Sequence, residues 1–209
     1  MGRSILLQLS VLVFVCTGVR GGAQPGDLIT DRESYAVFAA ALSFEAGARR
    51  YDGAVAVLQQ TRAVTKCPSE KSAPPAWRAV IANHRQENAR SRTLRPDANM
   101  GRPYTLVSLT ELRALMRKAG YDLLTFKGEQ SPGSQVFRAF PGARLVAFSA
   151  VGFDDKKTRA MVTLQYDCFP EAENRPPHPY CHAYHQLMFE KSGPEWLRAR
   201  NVQTCFGAA

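Results

Sequence analysis

The stretch Leu145-Val146-Ala147-Phe148-Ser149-Ala150-Val151-Gly152-Phe153-Asp154-Asp155-Lys156-Lys157-Thr158-Arg159-Ala160-Met161-Val162-Thr163-Leu164-Gln165-Tyr166-Asp167-Cys168 decides the fold class. Its apolar residues do not recur every three or four positions, and over Ala160, Val162, Leu164 and Tyr166 they alternate, which is the period of a strand. Leu145 to Phe153 reads as one strand, Asp154-Asp155-Lys156-Lys157 as its turn, and Thr158 to Cys168 as the next strand. Ala160, Val162, Leu164 and Tyr166 share one face of that second strand. A third strand, about Tyr180 to Glu190, follows a Pro-rich loop, and Lys191-Ser192-Gly193-Pro194 turns it into a last strand from Glu195 to Thr204. Sequential strands with short connections pair as an antiparallel meander.

Upstream of the meander the period is helical. Thr30-Asp31-Arg32-Glu33 offers a capping box, in which a hydroxyl and a carboxylate satisfy each other's free amides. Tyr35, Phe38, Ala39, Leu42 and Ala46 then form the stripe of a helix over about 31–48. After Gly53, the branched run Ala54-Val55-Ala56-Val57-Leu58 reads as a strand at an edge of the sheet or alongside the meander. Pro75 opens a second helix, with Trp77, Val80, Ile81 and His84 on its apolar side, running to about Arg90. Ser108-Leu109-Thr110-Glu111 is a second capping box, and Leu109, Leu112, Leu115 and Met116 line a third helix ending at Gly120. Helices first and strands last predict an α+β domain: about three helices on one face of a mainly antiparallel sheet of four to five strands.

The N-terminus bounds the location. Met1-Gly2-Arg3-Ser4 precedes an apolar stretch from Ile5 to Val15, too short for a hydrocarbon core that takes about 20 residues. A signal peptide over residues 1–23 is expected, with Gly21-Gly22-Ala23 as the small residues before cleavage and no membrane span in the mature chain. Cys16 also permits a lipoprotein reading, which the bulky Val15 disfavours. Removing residues 1–23 takes away Arg3, Arg20 and no acid, so the formal charge falls from +9 to +7. The remainder, 24–209, suits a single domain, and its address is periplasmic or secreted.

With Cys16 removed, Cys67, Cys168, Cys181 and Cys205 remain. In an oxidising compartment four cysteines read as two disulfides with three possible pairings. Cys168–Cys181 is preferred, because these residues end one strand and begin the next, and Cys67–Cys205 follows by elimination.

Phe140-Pro141-Gly142-Ala143, then Phe148-Ser149-Ala150-Val151-Gly152-Phe153 and Thr158-Arg159-Ala160-Met161-Val162, carry a resemblance. The chain resembles a group of exported bacterial proteins of unknown function, in which a Tyr/Phe-Pro-Gly segment precedes a Ser-x-Val-Gly-Phe strand, a hairpin and a Cys-containing strand. Val55-x-Val57-Leu58-x-x-Thr61 and the helix ending near Asn88 are similar to that group's N-terminal half. The segment Phe169 to Pro179 departs from the pattern. The resemblance implies the fold and the export, and no functional residue.

Candidate chemistry is sparse. His178, Cys181, His182 and His185, with Cys168, are residue types that bind zinc. Alternation along a strand sets His182 and His185 on opposite faces, and oxidation favours a disulfide, so neither a metal nor another cofactor is expected. His84 lies one helical turn from Glu87 but on an apolar stripe, which reads as a structural histidine. No Gly-x-Ser-x-Gly elbow, phosphate-binding loop or dinucleotide fingerprint occurs. Arg85, Arg90, Arg92, Arg95, Arg113 and Arg117 crowd the second and third helices and suit an anionic envelope surface or glycan instead of nucleic acid. The expectation is therefore a non-catalytic, exported binding domain. Its rivals are a hydrolase with a site near His178 to His185 and a purely structural or assembly protein.

Overall fold

The structure is a computed structural model that describes residues 28–49, 55–62, 73–118, 139, 144–167, 182–199 and 206–208. The expected signal peptide and its cleavage site, the five cysteines and His178 lie outside these residues, and so do the expected disulfides Cys168–Cys181 and Cys67–Cys205. Among the described residues no helix is long and apolar enough to cross a membrane.

Among the described residues three helices, α1 (Arg32–Arg49), α2 (Pro75–Glu87) and α3 (Leu109–Lys118), accompany one sheet. Its strands are β1 (Val55–Leu58), β2 (Tyr104–Val107), β3 (Arg144–Phe148), β4 (Gly152–Phe153), β5 (Arg159–Asp167), β6 (His182–Ser192), β7 (Glu195–Arg198) and β8 (Phe206–Ala208). The order is β2-β1-β3-β5-β6-β7, with β4 against β5 and β8 against β6. The α+β class and the antiparallel meander β3, β5, β6, β7 agree with the sequence reading.

Three features differ from that reading. Among the described residues the sheet is 8-stranded instead of four- to five-stranded. Its first part is parallel: β1 lies inside the sheet, between β2 and β3 and parallel to both. The helices cover both faces. Phe38 and Leu42 of α1 pack with Val57, Phe148, Val162 and Leu187. On the opposite face, Trp77, Val80 and Ile81 of α2 pack with Met161 and Met188, and Leu112 and Leu115 of α3 pack against Ala56, Val107 and Leu145. All four residues of β1 are buried, which is what a strand with a helical layer on each side requires.

Local chemistry explains the boundaries. At α3 the capping box forms as read: Glu111 donates its amide to Ser108 Oγ at 3.1 Å, and Ser108 donates its amide to Glu111 Oε2 at 2.7 Å. At α1 the expected Thr30 box does not form. Asp31 caps instead, accepting from the Glu33 amide at 3.4 Å and from Ser34 Oγ at 3.2 Å. Glu33 is thereby released toward the sheet, where Lys191 Nζ and Trp196 Nε1 donate to it at 2.7 and 3.0 Å.

The stretch Leu145 to Phe153 is not one strand. It breaks at Ser149-Ala150-Val151 into β3 and β4, and α2 supplies the partners that the break removes.

Candidate functional site

The break is built around His84. Trp77, Val80, Ile81 and His84 recur at helical spacing and are buried together, which aims His84 at the sheet. Its Nε2 lies 2.9 Å from Ser149 Oγ. Ser149 Oγ also accepts the Thr163 amide at 2.7 Å and reaches the Ala150 carbonyl at 3.0 Å. A hydroxyl has one proton and two lone pairs, so these three partners saturate it. Both side chains are enclosed, Ser149 at 1% exposure and His84 at 4%. Burial pushes the His84 pKa down to about 4, so the ring is neutral at physiological pH.

One turn along, Asn88 clamps the next residue. Its Oδ1 accepts the Ala150 amide at 2.8 Å, and its Nδ2 donates to the Ala150 carbonyl at 3.0 Å and to the His84 carbonyl at 2.7 Å. Asn83 Oδ1 accepts the Phe153 amide at 2.8 Å. Gly152 lets the chain pass directly against α2. The segment Ser149 to Phe153 thus has a physical reading: serine for His84, glycine for the approach, and free amides for the two asparagines.

Above this buried network lies an open cleft of about 400 Å³ between the start of α1, α2 and the β4–β5 turn. Ala150, Val151 and Phe153 contribute to its floor, and Asp31, Glu87 and Lys157 to its rim. Lys157, held at φ 49°, places Nζ 3.0 Å from Asp31 and 5.2 Å from the Phe153 ring centroid. Asp154 accepts the Thr158 amide and hydroxyl, each at 2.6 Å, so the turn explains this carboxylate.

The basic residues separate into two sets. Arg92 pairs with Glu87 at 2.6 Å, and Arg95 makes two bonds to Asp97, at 2.9 and 2.5 Å. The Arg95 amide donates to Tyr35 Oη, which ties that loop to α1. Arg85 and Arg90 are exposed and carry interactions of their own. Arg113, Arg117 and Lys118 stand exposed on α3, and Arg78 on α2. The acids of these two helices are Glu87 and Glu111. Glu87 is spent on Arg92 and Glu111 on the cap at Ser108, whose amide and hydroxyl hold its carboxyl below the usual range.

His182 and His185 both fall on β6, paired with Asp167 and Leu164. His185 stands on the α1 side, edge-on to Phe44 with 6.4 Å between centroids. Among the described residues no three His, Cys, Asp or Glu side chains converge as a metal site. Compared with known protein families, curated proteins and solved structures, the chain matches none.

Proposed function

We propose that the protein is an exported, non-catalytic domain that binds an anionic envelope surface or glycan through the outward side of the α2 and α3 layer. One observation carries this reading. The exposed side chains of that layer include Arg78, Arg113, Arg117 and Lys118, while both acids of the two helices are occupied at helix ends. Cations gathered on one side raise the local concentration of polyanions, and salt weakens the attraction. The most enzyme-like pair, His84 and Ser149, supports binding over catalysis, because its hydroxyl is saturated and enclosed.

On this reading residues 1–23 are removed during export and Cys168–Cys181 and Cys67–Cys205 close as disulfides; intact-mass measurement of the exported protein, reduced and unreduced, tests both. Docking is tested by co-sedimentation of residues 24–209 with purified envelope fractions. Retention at about 20 mM salt and release at about 500 mM is expected, since the screening length falls severalfold over that range. The triple variant Arg113→Gln, Arg117→Gln, Lys118→Gln should be retained far less. Absence of the wild-type protein from the low-salt pellet would defeat the reading.

A further inference from the structure

A second property of the fold is independent of the docking surface. Segment 149–153 is attached to α2 by a set of bonds with no ionised member. Ala150 is held by Asn88, Phe153 by Asn83, and Ser149 by His84. Gly152 packs on the His84 backbone, so segment and helix are seated as one piece. Ala150, Val151 and Phe153 belong to the cleft lining together with Asn83 and Glu87 of α2. Whatever parts the segment from the helix reshapes the cleft.

The seat favours a neutral imidazole. A neutral ring satisfies Ser149 in either tautomer: Nε2 donates to Oγ while Oγ donates to the Ala150 carbonyl, or Oγ donates to Nε2. An imidazolium is a donor at both nitrogens, and among the described residues the hydrogen bonding of the ring runs through Nε2. Among the described residues no ion pair or hydrogen bond joins the ring to a carboxylate. On α2 the ionisable side chains are Arg78, Arg85 and Glu87, the last paired with Arg92. The segment 149–153 and β4 carry none, and on β5 Arg159 lies beside Trp77, Asp154 and Glu190. Burial alone displaces the ring's titration. An enclosed charge without a partner is expelled or dismantles its surroundings.

We propose that His84 is an acid-sensitive latch: a proton on its ring releases segment 149–153 from α2 and opens the cleft which that segment floors.

Three amides report on the latch: Ala150 and Phe153, which donate to Asn88 and Asn83, and Thr163, which donates to Ser149 Oγ. Native-state hydrogen exchange of the full domain, corrected for intrinsic rates, reads their opening constants. With His84 shifted from 6.5 to about 4, these constants should rise about 30-fold between pH 7.5 and 5. They should also show a smaller urea dependence than the amides of β1, because the opening is local. In His84→Gln, which keeps a donor toward Ser149 and does not titrate, the rise should vanish. A flat pH response of the wild type, or a rise retained in His84→Gln, would overturn the latch. Equal urea dependence for the reporters and for β1 would do so as well, since His84 would then meet water only in the unfolded chain. That last comparison needs the wild type alone, so failure of the variant to fold leaves the test intact.

Discussion

Gly152 and His84 lie so close that a carbon added at position 152 would stand 2.4 Å from the nitrogen, Cα and Cβ of His84. Those are atoms of a helix backbone and its first side-chain carbon, which cannot swing aside. Gly152→Ala is therefore expected to push α2 away from β4 and to cost about 2–4 kcal/mol, the upper range for an overpacked core. Urea denaturation measures the loss. A change below about 0.5 kcal/mol would mean that α2 and β4 are not seated together.

His84 also sets a pH dependence of global stability. Its unfolded pKa is near 6.5 and its folded value about 4, lowered by burial. Below 6.5 the unfolded chain binds a proton that the folded chain does not, so this stability is complete above 6.5. It declines as pH falls toward 4, and below that both states carry the proton. The loss between pH 7.5 and 4 should be about 3 kcal/mol. Urea unfolding of wild type and His84→Gln over that range isolates it, and the difference between the two should shrink as pH falls.

Much of this arrangement was legible locally and little of it globally. The Ser108 box was readable because both partners lie within one turn. At α1 two adjacent residues competed for the cap, and Asp31 prevailed because Glu33 finds Lys191 and Trp196 across the fold. Tyr104 to Val107 carries no strand signal of its own: four residues between Pro103 and Ser108 show little alternation, and their partner β1 lies far away in sequence. Val55–Leu58 and Leu145–Phe148 are apolar throughout and buried, as strands covered on both faces require, whereas the alternation of the later strands points to one covered face. His84 was recognisable as buried from its helical stripe, whereas Ser149, 65 residues away, had no local sign of being its partner.

Glu33 anchors the start of α1 to the β6–β7 hairpin. Its carboxyl is held below the ordinary value by the Lys191 bond first, with Trp196 adding to it against the cost of burial. Glu33→Ala would leave the Trp196 indole N–H, on a ring 6% exposed, without its acceptor. The expected cost is about 2 kcal/mol, read from the urea midpoint at pH 7 together with a shift in tryptophan emission. Because the folded pKa is depressed, this contribution is present above about pH 4.5 and fades as the carboxyl protonates, below the main part of the His84 range. Glu33→Gln, which retains an acceptor, should lose less than Glu33→Ala.

Thr163 gives the opposite sign. It is fully enclosed, and its amide is satisfied by Ser149 Oγ. Its own Oγ1 is a buried polar atom with no hydrogen-bond partner. A hydroxyl kept from water without a partner costs free energy in the folded state, whereas a methyl of the same shape does not. Thr163→Val preserves the branched outline that suits a strand and leaves the Ser149 contact untouched, because that contact is made by the backbone. The variant should therefore be more stable than wild type by about 1 kcal/mol, with an unchanged urea slope. A loss of stability in Thr163→Val would instead assign the hydroxyl a partner, such as a buried water, whose bonds outweigh the relief of removing it.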